Sequence, residues 1–160
     1  MEARRPKETD AIKRRLESYV ALQRTIDNQV ERLIAISESM GSISTPKLTG
    51  LPGGGGDGTS KIEREVIRKV ALEQKIEALR QREKDEGEAL EALIDRLPSP
   101  NQQTVLQMKY IDRRHWWSIC AALYSSEPDY DDNPEKYLKR AFKVHGRALL
   151  ALARLPGAAS

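Results

Sequence analysis

Cysteine is nearly missing from this chain. Cys120 is the sole thiol in 160 residues, so an internal disulfide framework is excluded. Histidine is almost as scarce, and His115 and His145 together with one cysteine cannot furnish a typical structural zinc site. Aromatic residues make up only 5% and hydrophobic residues 39%, against 32% charged, a balance that argues against one large globule. No apolar run approaches the roughly 20 residues needed to cross a bilayer. The opening MEARRPKETD has no hydrophobic stretch after its charges, so neither membrane insertion nor secretion is expected. These absences point to a cytoplasmic protein.

What is present is unevenly placed. The net charge of +3, from 27 Lys and Arg against 24 Asp and Glu, is too small to announce a polyanionic partner. From residue 98 onward, however, five acids crowd between Glu127 and Glu135, and beyond Glu135 there are six basic residues and no acid. Of the eight aromatics only Tyr19 lies outside the stretch from Tyr110 to Phe142, which places any aromatic core in the C-terminal part.

From about Lys7 to Met40, Ile12, Leu16, Tyr19, Ile26, Val30, Leu33 and Met40 recur at steps of three and four, with Gln23 and Ser37 interrupting the register. Such a helix would be on the order of 50 Å long, too long for a small globule to bury, and needs a helical partner. The stretch 41–58 holds seven of the ten glycines with Pro46 and Pro52, and reads as a connector. Its GGGGDGTSK, from Gly53, invites comparison with a phosphate-binding loop. The comparison fails because Thr59 and Ser60 precede Lys61 and no hydrophobic strand enters. Thr59 or Ser60 can cap a second helix, with Glu63 completing a capping box from Ser60. Ile62, Val66 and Val70 give that helix one apolar stripe. Leu72, Ile76, Leu79, Leu90, Leu93 and Leu97 give a later one, with Glu83 and Glu86 in the seam as signs of a loose or solvent-facing region. Pro98 stops it.

The expected fold is therefore all-α: an antiparallel two-helix hairpin, coiled-coil-like, over residues 7–97, then a three-helix module over 98–155 and a frayed tail at 156–160. Pairing of the same stripes between two chains is equally lawful. In the module, Ser99 and Pro100 start a helix that ends near Asp112. A second helix, HWWSICAALY, turns Trp117, Ile119, Cys120 and Leu123 inward. After the acidic SSEPDYDDN, Asn133 as cap, Pro134 and Glu135 start a third helix running to about Arg154. Leu138, Phe142, His145, Leu149 and Leu152 define its apolar face, with His145 packed and hydrogen-bonded rather than a ligand. Gly146, costly in a helix interior, marks the close approach of another helix.

Lys136, Lys139, Arg140, Lys143 and Arg147 line the other side of this last helix. Three helices of which the last is cationic on one side and apolar on the other describe a helix-turn-helix module. Lys136, Lys139 and Arg140 are then candidate base readers, and Lys143, Arg147, Arg113 and Arg114 candidate phosphate contacts. Carboxylates are plentiful, but none pairs with histidine or cysteine at a spacing that suggests acid-base, nucleophilic or metal chemistry. No enzyme activity, cofactor or metal is expected.

The run LPSPNQQTVLQMKYIDRRHWWSICAALY resembles region four of bacterial sigma factors, and YLKRAFKVHGRALLALARL is similar to its recognition helix, with Ala148 and Leu149 in the closing signature. With the glycine-rich connector upstream, the chain resembles phage-encoded regulators of the RinA and ArpU type found in prophages of Gram-positive bacteria. The resemblance implies a sequence-specific, double-stranded-DNA-binding transcription regulator of phage or prophage genes, acting in the bacterial cytoplasm. Its partners would include RNA polymerase and further copies of the chain joined through the long helices. The link from Tyr124 to Asn133 is longer and more acidic than the usual turn of the motif, and Pro-Glu replaces a hydroxyl-rich helix start. The alternatives are a phage small terminase subunit on packaging DNA and a coiled-coil adaptor that binds protein alone.

Overall fold

In a computed structural model, residues 5–41 and 60–159 are described. Five α-helices follow one another: α1 (Asp10–Gly41), α2 (Lys61–Asp95), α3 (Pro100–Leu106), α4 (Trp116–Tyr124) and α5 (Pro134–Ala153). A π-helical turn, Gln107–Ile111, prolongs α3. Among the described residues there is no strand, and no helix is long and apolar enough to cross a membrane. The glycine-rich connector beyond Gly41, with its loop-like GGGGDG, lies outside the described residues.

α1 and α2 pack against each other as an antiparallel hairpin, and the chain divides into two compact units that cut across it. The first unit comprises Met1–Ala21 and Lys84–Ser160, the second Leu22–Glu83.

In the second unit, Ile26 of α1 and Ile76 of α2 are buried. Ser60 caps α2 as its sequence promises, its Oγ accepting from the Glu63 N–H at 3.2 Å. The first apolar stripe of α2 behaves differently from expectation. Ile62, Val66 and Val70 are all exposed, as are Ile67 and Ile34. Two helices bury only the sides they turn to one another, and these aliphatic residues fall outside that seam.

In the first unit, Ile12, Leu16 and Tyr19 of α1 meet Leu90, Leu93 and Ile94 of α2, followed by Leu97, and the cluster extends to Leu106, Tyr110, Ala148, Leu149 and Leu152. Glu86 is not a loose point in the seam, because its carboxylate takes two hydrogen bonds from Arg15, Nε to Oε1 at 2.6 Å and Nη2 to Oε2 at 3.3 Å. A half-buried bidentate pair lets a charge sit at a core position. Residues 156–158 do not fray either. Ala158 is buried in the main cluster, and Arg15 Nη1 donates to the carbonyls of Gly157 and Ala158. Arg96 Nη1 donates to that of Pro156. The tail stays because two arginines satisfy its backbone oxygens while its alanine fills a core site.

The helix ends follow their local chemistry. α2 stops at Asp95, two residues before the position facing Pro98, and the Gln103 side chain donates to the freed carbonyls of Asp95 and Leu97. Ser99 Oγ accepts from the Gln102 N–H and Pro100 opens α3. The π-turn ends with the Asp112 N–H bonded to the Gln107 carbonyl at 2.9 Å, and Arg113 then adopts a left-handed φ of 54° to turn the chain into α4.

Gly87 of α2 lies under Tyr19, and a Cβ there would come within 2.6 Å of the Tyr19 hydroxyl. At Gly146 of α5 a Cβ would meet nothing within 4 Å, so no helix approaches it as its position in the sequence suggests. Gly87→Ala is therefore expected to destabilise by about 1–3 kcal/mol, and Gly146→Ala to stabilise by up to about 1 kcal/mol. Urea unfolding midpoints check this, and effects of the same sign would contradict the close approach at Tyr19.

Candidate nucleic-acid interface

α5 packs against both α3 and α4, and its buried row decides which residues face solvent. That row is Tyr137, Ala141, Ala148, Leu149 and Leu152. The expected row through Leu138 and Phe142 is corrected by roughly 50°, half a residue step on a helix: Phe142 is 45% exposed and Leu138 half-buried. The cause is size. Alanines at 141 and 148 let α5 approach its neighbours closely, and Tyr137 fills the space at one end, its ring 5.2 Å from that of Tyr124 and 5.6 Å from that of Tyr130. On α4 the inward tryptophan is Trp116, not Trp117. Trp116 meets Phe142 edge-on at 4.8 Å and His145 at 5.2 Å, while Trp117 is 58% exposed. Ile119 and Cys120 are buried as expected, and burial pushes the Cys120 thiol pKa up.

With the buried row so placed, Lys136, Lys139, Arg140, Lys143 and Arg147 are all exposed. At about 100° per residue they fall within an arc of about 100°, nearly diametrically opposite the buried row. Lys136, Lys139, Arg140 and Lys143 share with Asp132, Asn133, Pro134 and Glu135 a depression of about 640 Å³. Arg147 lies further along the same side of α5, outside that lining. Arg113 and Arg114, both exposed, sit on the link between the π-turn and α4 and are likewise not part of it. The charge of this face is partly engaged already. Lys136 Nζ lies 2.9 Å from Asp129 Oδ2 and 5.2 Å from the Tyr137 ring centroid, and the Arg140 guanidinium lies 5.2 Å from the same ring. Lys139, Lys143 and Arg147 form no ion pair among the described residues. The last basic residue, Arg154, is committed elsewhere, to Glu8 at 2.8 Å.

Asp129 is the residue that periodicity missed. Its carboxylate accepts from the Tyr137 hydroxyl, from Lys136 and, at 3.3 Å, from Asn133 Nδ2. Asn133 therefore occupies the cap position without capping, since its side chain reaches back to Asp129. The Tyr137 and Lys136 bonds hold the Asp129 carboxyl down to about pKa 2, and the adjacent carboxylate raises the Tyr137 hydroxyl to about 12. No helical repeat flags a residue in the turns between α4 and α5. Its signal is only that an acid lies within reach of a cation and a tyrosine on the first turn of α5.

His145 is packed and hydrogen-bonded, as the sequence suggests. Its Nε2 lies 2.8 Å from the Tyr110 hydroxyl, with the two rings stacked at 5.7 Å. Burial, and then the positive charges of Lys109 and Lys13, lower the His145 pKa to about 4. Burial and the charge of Glu17 raise that of Tyr110 to about 12. The imidazole is thus neutral at pH 7 and shares one hydrogen bond with the Tyr110 hydroxyl through Nε2. Among the described residues, no group of three or more His, Cys, Asp or Glu side chains could hold a metal ion. What the arrangement offers is a cationic helix face.

Residues 42–139 match the family described as protein of unknown function (DUF1492), and the chain belongs to that family. The match takes in α2, α3, α4 and the start of α5 as far as Lys139. No curated protein and no solved structure matches the chain.

Because the His145 pKa falls from 6.5 in the unfolded chain to about 4 in the fold, the unfolded state binds more protons between those values. The stabilisation is complete above about pH 6.5 and is lost as pH falls toward 4. The urea midpoint should decline across this window, and His145→Leu should flatten the decline. An equally steep decline in the variant would contradict the assignment.

Proposed function

We propose that this member of the DUF1492 family is a non-enzymatic, sequence-specific DNA-binding protein, a transcription regulator of phage or prophage genes in the host cytoplasm, with α5 as its recognition helix. The observation that carries the reading is the exposed arc of Lys136, Lys139, Arg140, Lys143 and Arg147, opposite a row that seals α5 to α3 and α4. A helix held from behind and cationic in front can enter a major groove, with its first turns at base edges and its later ones at phosphates. Arg113 and Arg114, exposed ahead of α4, would extend the phosphate contacts. The likeness to sigma factor region four supports the same assignment, and with it RNA polymerase as a protein partner.

Self-association through the long helices belongs to this reading. Ile34, Ile62, Val66, Ile67 and Val70 expose aliphatic surface in the hairpin, and covering it in a homo-oligomer would remove that surface from water. The terminase reading shares these features and differs in assembly, a ring of eight or more subunits rather than a dimer.

Fluorescence anisotropy with a labelled random duplex tests the DNA contact. Affinity should fall steeply between about 50 and 200 mM salt. Lys139→Ala/Arg140→Ala should lower it by about tenfold or more at the lower salt and reduce the salt slope by about 2, while costing no more stability than the contact between Arg140 and the Tyr137 ring supplies, about 1 kcal/mol. Unaltered affinity in the double variant would refute the role given to α5, and absence of binding at both salts would favour the adaptor.

A further inference from the structure

We propose that the acidic segment Glu127–Glu135 is a specificity filter for the cationic face of α5, weakening its hold on arbitrary duplex so that a duplex fitting the helix in shape and sequence is favoured. The inference rests on the DNA-binding reading and deepens it. Five carboxylates, at 127, 129, 131, 132 and 135, precede the five cations of α5, so the local formal charges cancel. The cancellation is built into the geometry as well. Asp129 holds Lys136 at 2.9 Å and is itself fastened by Tyr137 and Asn133. Asp132 and Glu135 line the same depression as Lys136, Lys139, Arg140 and Lys143. A phosphate entering there meets four cations and two carboxylates, and gains Lys136 only by displacing Asp129.

Asp129 anchors the start of α5 by hydrogen bonds, whereas Glu135 in its first turn and Asp132 just ahead of it favour the helix N-terminus only through their charge. The carboxylates of Asp132 and Glu135 have no hydrogen-bond or ion-pair partner among the described residues. They contribute charge at the groove and no internal bond. Non-specific affinity for duplex comes almost entirely from neutralised phosphates, each adding about 0.9 to the salt slope. Carboxylates among the cations act directly on that contribution. In the complex with a fitting duplex the first turns of α5, beside Asp132 and Glu135, face base edges rather than phosphates, so the repulsion falls mainly on arbitrary duplex, where the same cations must hold phosphates. A repulsive element aimed at the wrong ligand raises discrimination even as it lowers total affinity.

The test uses the full chain, a random duplex, and a duplex selected by binding from a random pool. Asp132→Asn/Glu135→Gln should bind random duplex about five- to tenfold tighter at about 50 mM salt, and the selected duplex no more than about twofold tighter, so that the specificity ratio falls. Asp129→Asn, which keeps an acceptor for Tyr137, should steepen the salt slope for random duplex by about 1 as Lys136 is released; circular dichroism verifies that it is folded. Random-duplex binding that is unchanged or weaker in Asp132→Asn/Glu135→Gln, or equal tightening on both duplexes, overturns the filter while the DNA-binding reading stands. Failure of the wild-type chain and all variants to bind any duplex at about 50 mM salt overturns that reading itself.

Discussion

The contact on which the first unit turns is the packing of one row of α5, Tyr137, Ala141, Ala148 and Leu152, against its neighbours. Short alanine side chains in the middle let the helices come close, and a buried tyrosine and leucine at the ends fix the rotation. Once that row faces inward, helical geometry leaves no choice about the five cations on the opposite arc. Asp129 completes the constraint by fastening Tyr137 and Lys136 at the first turn of α5. The same helix carries His145 and Leu149 into the region where the hairpin ends and the tail are anchored. A substitution that rotates α5 would disturb core and cationic face together.

Much of the architecture is legible in the residues. The two long helices follow from apolar steps of three and four, Ser60 and Ser99 cap as written, and the prolines at 100 and 134 open their helices. The cations of α5 are exposed in the pattern that their spacing predicts. Faces were less legible than spans. On α5 two rows, 138-142-145-149-152 and 137-141-148-152, both have helical spacing. Phe142 is the larger apolar residue, yet Ala141 is the one that allows close packing. Trp116 and Trp117 are adjacent and chemically identical, and only the direction of α4 separates them.

Other differences come from partners distant in sequence. Glu86 is compatible with the hairpin seam because Arg15, 71 positions earlier, pairs with it. Ala158 is buried because Arg15 and Arg96 fasten the carbonyls around it. Periodicity looks only at neighbours three and four residues away, so a polar pair closed across two helices is invisible to it. Asp129 escapes for the same reason, since it acts from a non-helical segment. The acidic link that departs from the usual tight turn of a helix-turn-helix is therefore a structural part of α5's first turn.

The central claim, that the exposed arc of α5 is the surface touching duplex, is most directly tested by lysine reactivity mapped by mass spectrometry with and without bound DNA. The account predicts protection of Lys139 and Lys143 on α5, with Lys69 and Lys75 on the hairpin as reactive as before. Protection confined to the hairpin lysines, with Lys139 and Lys143 fully reactive in the complex, would contradict it.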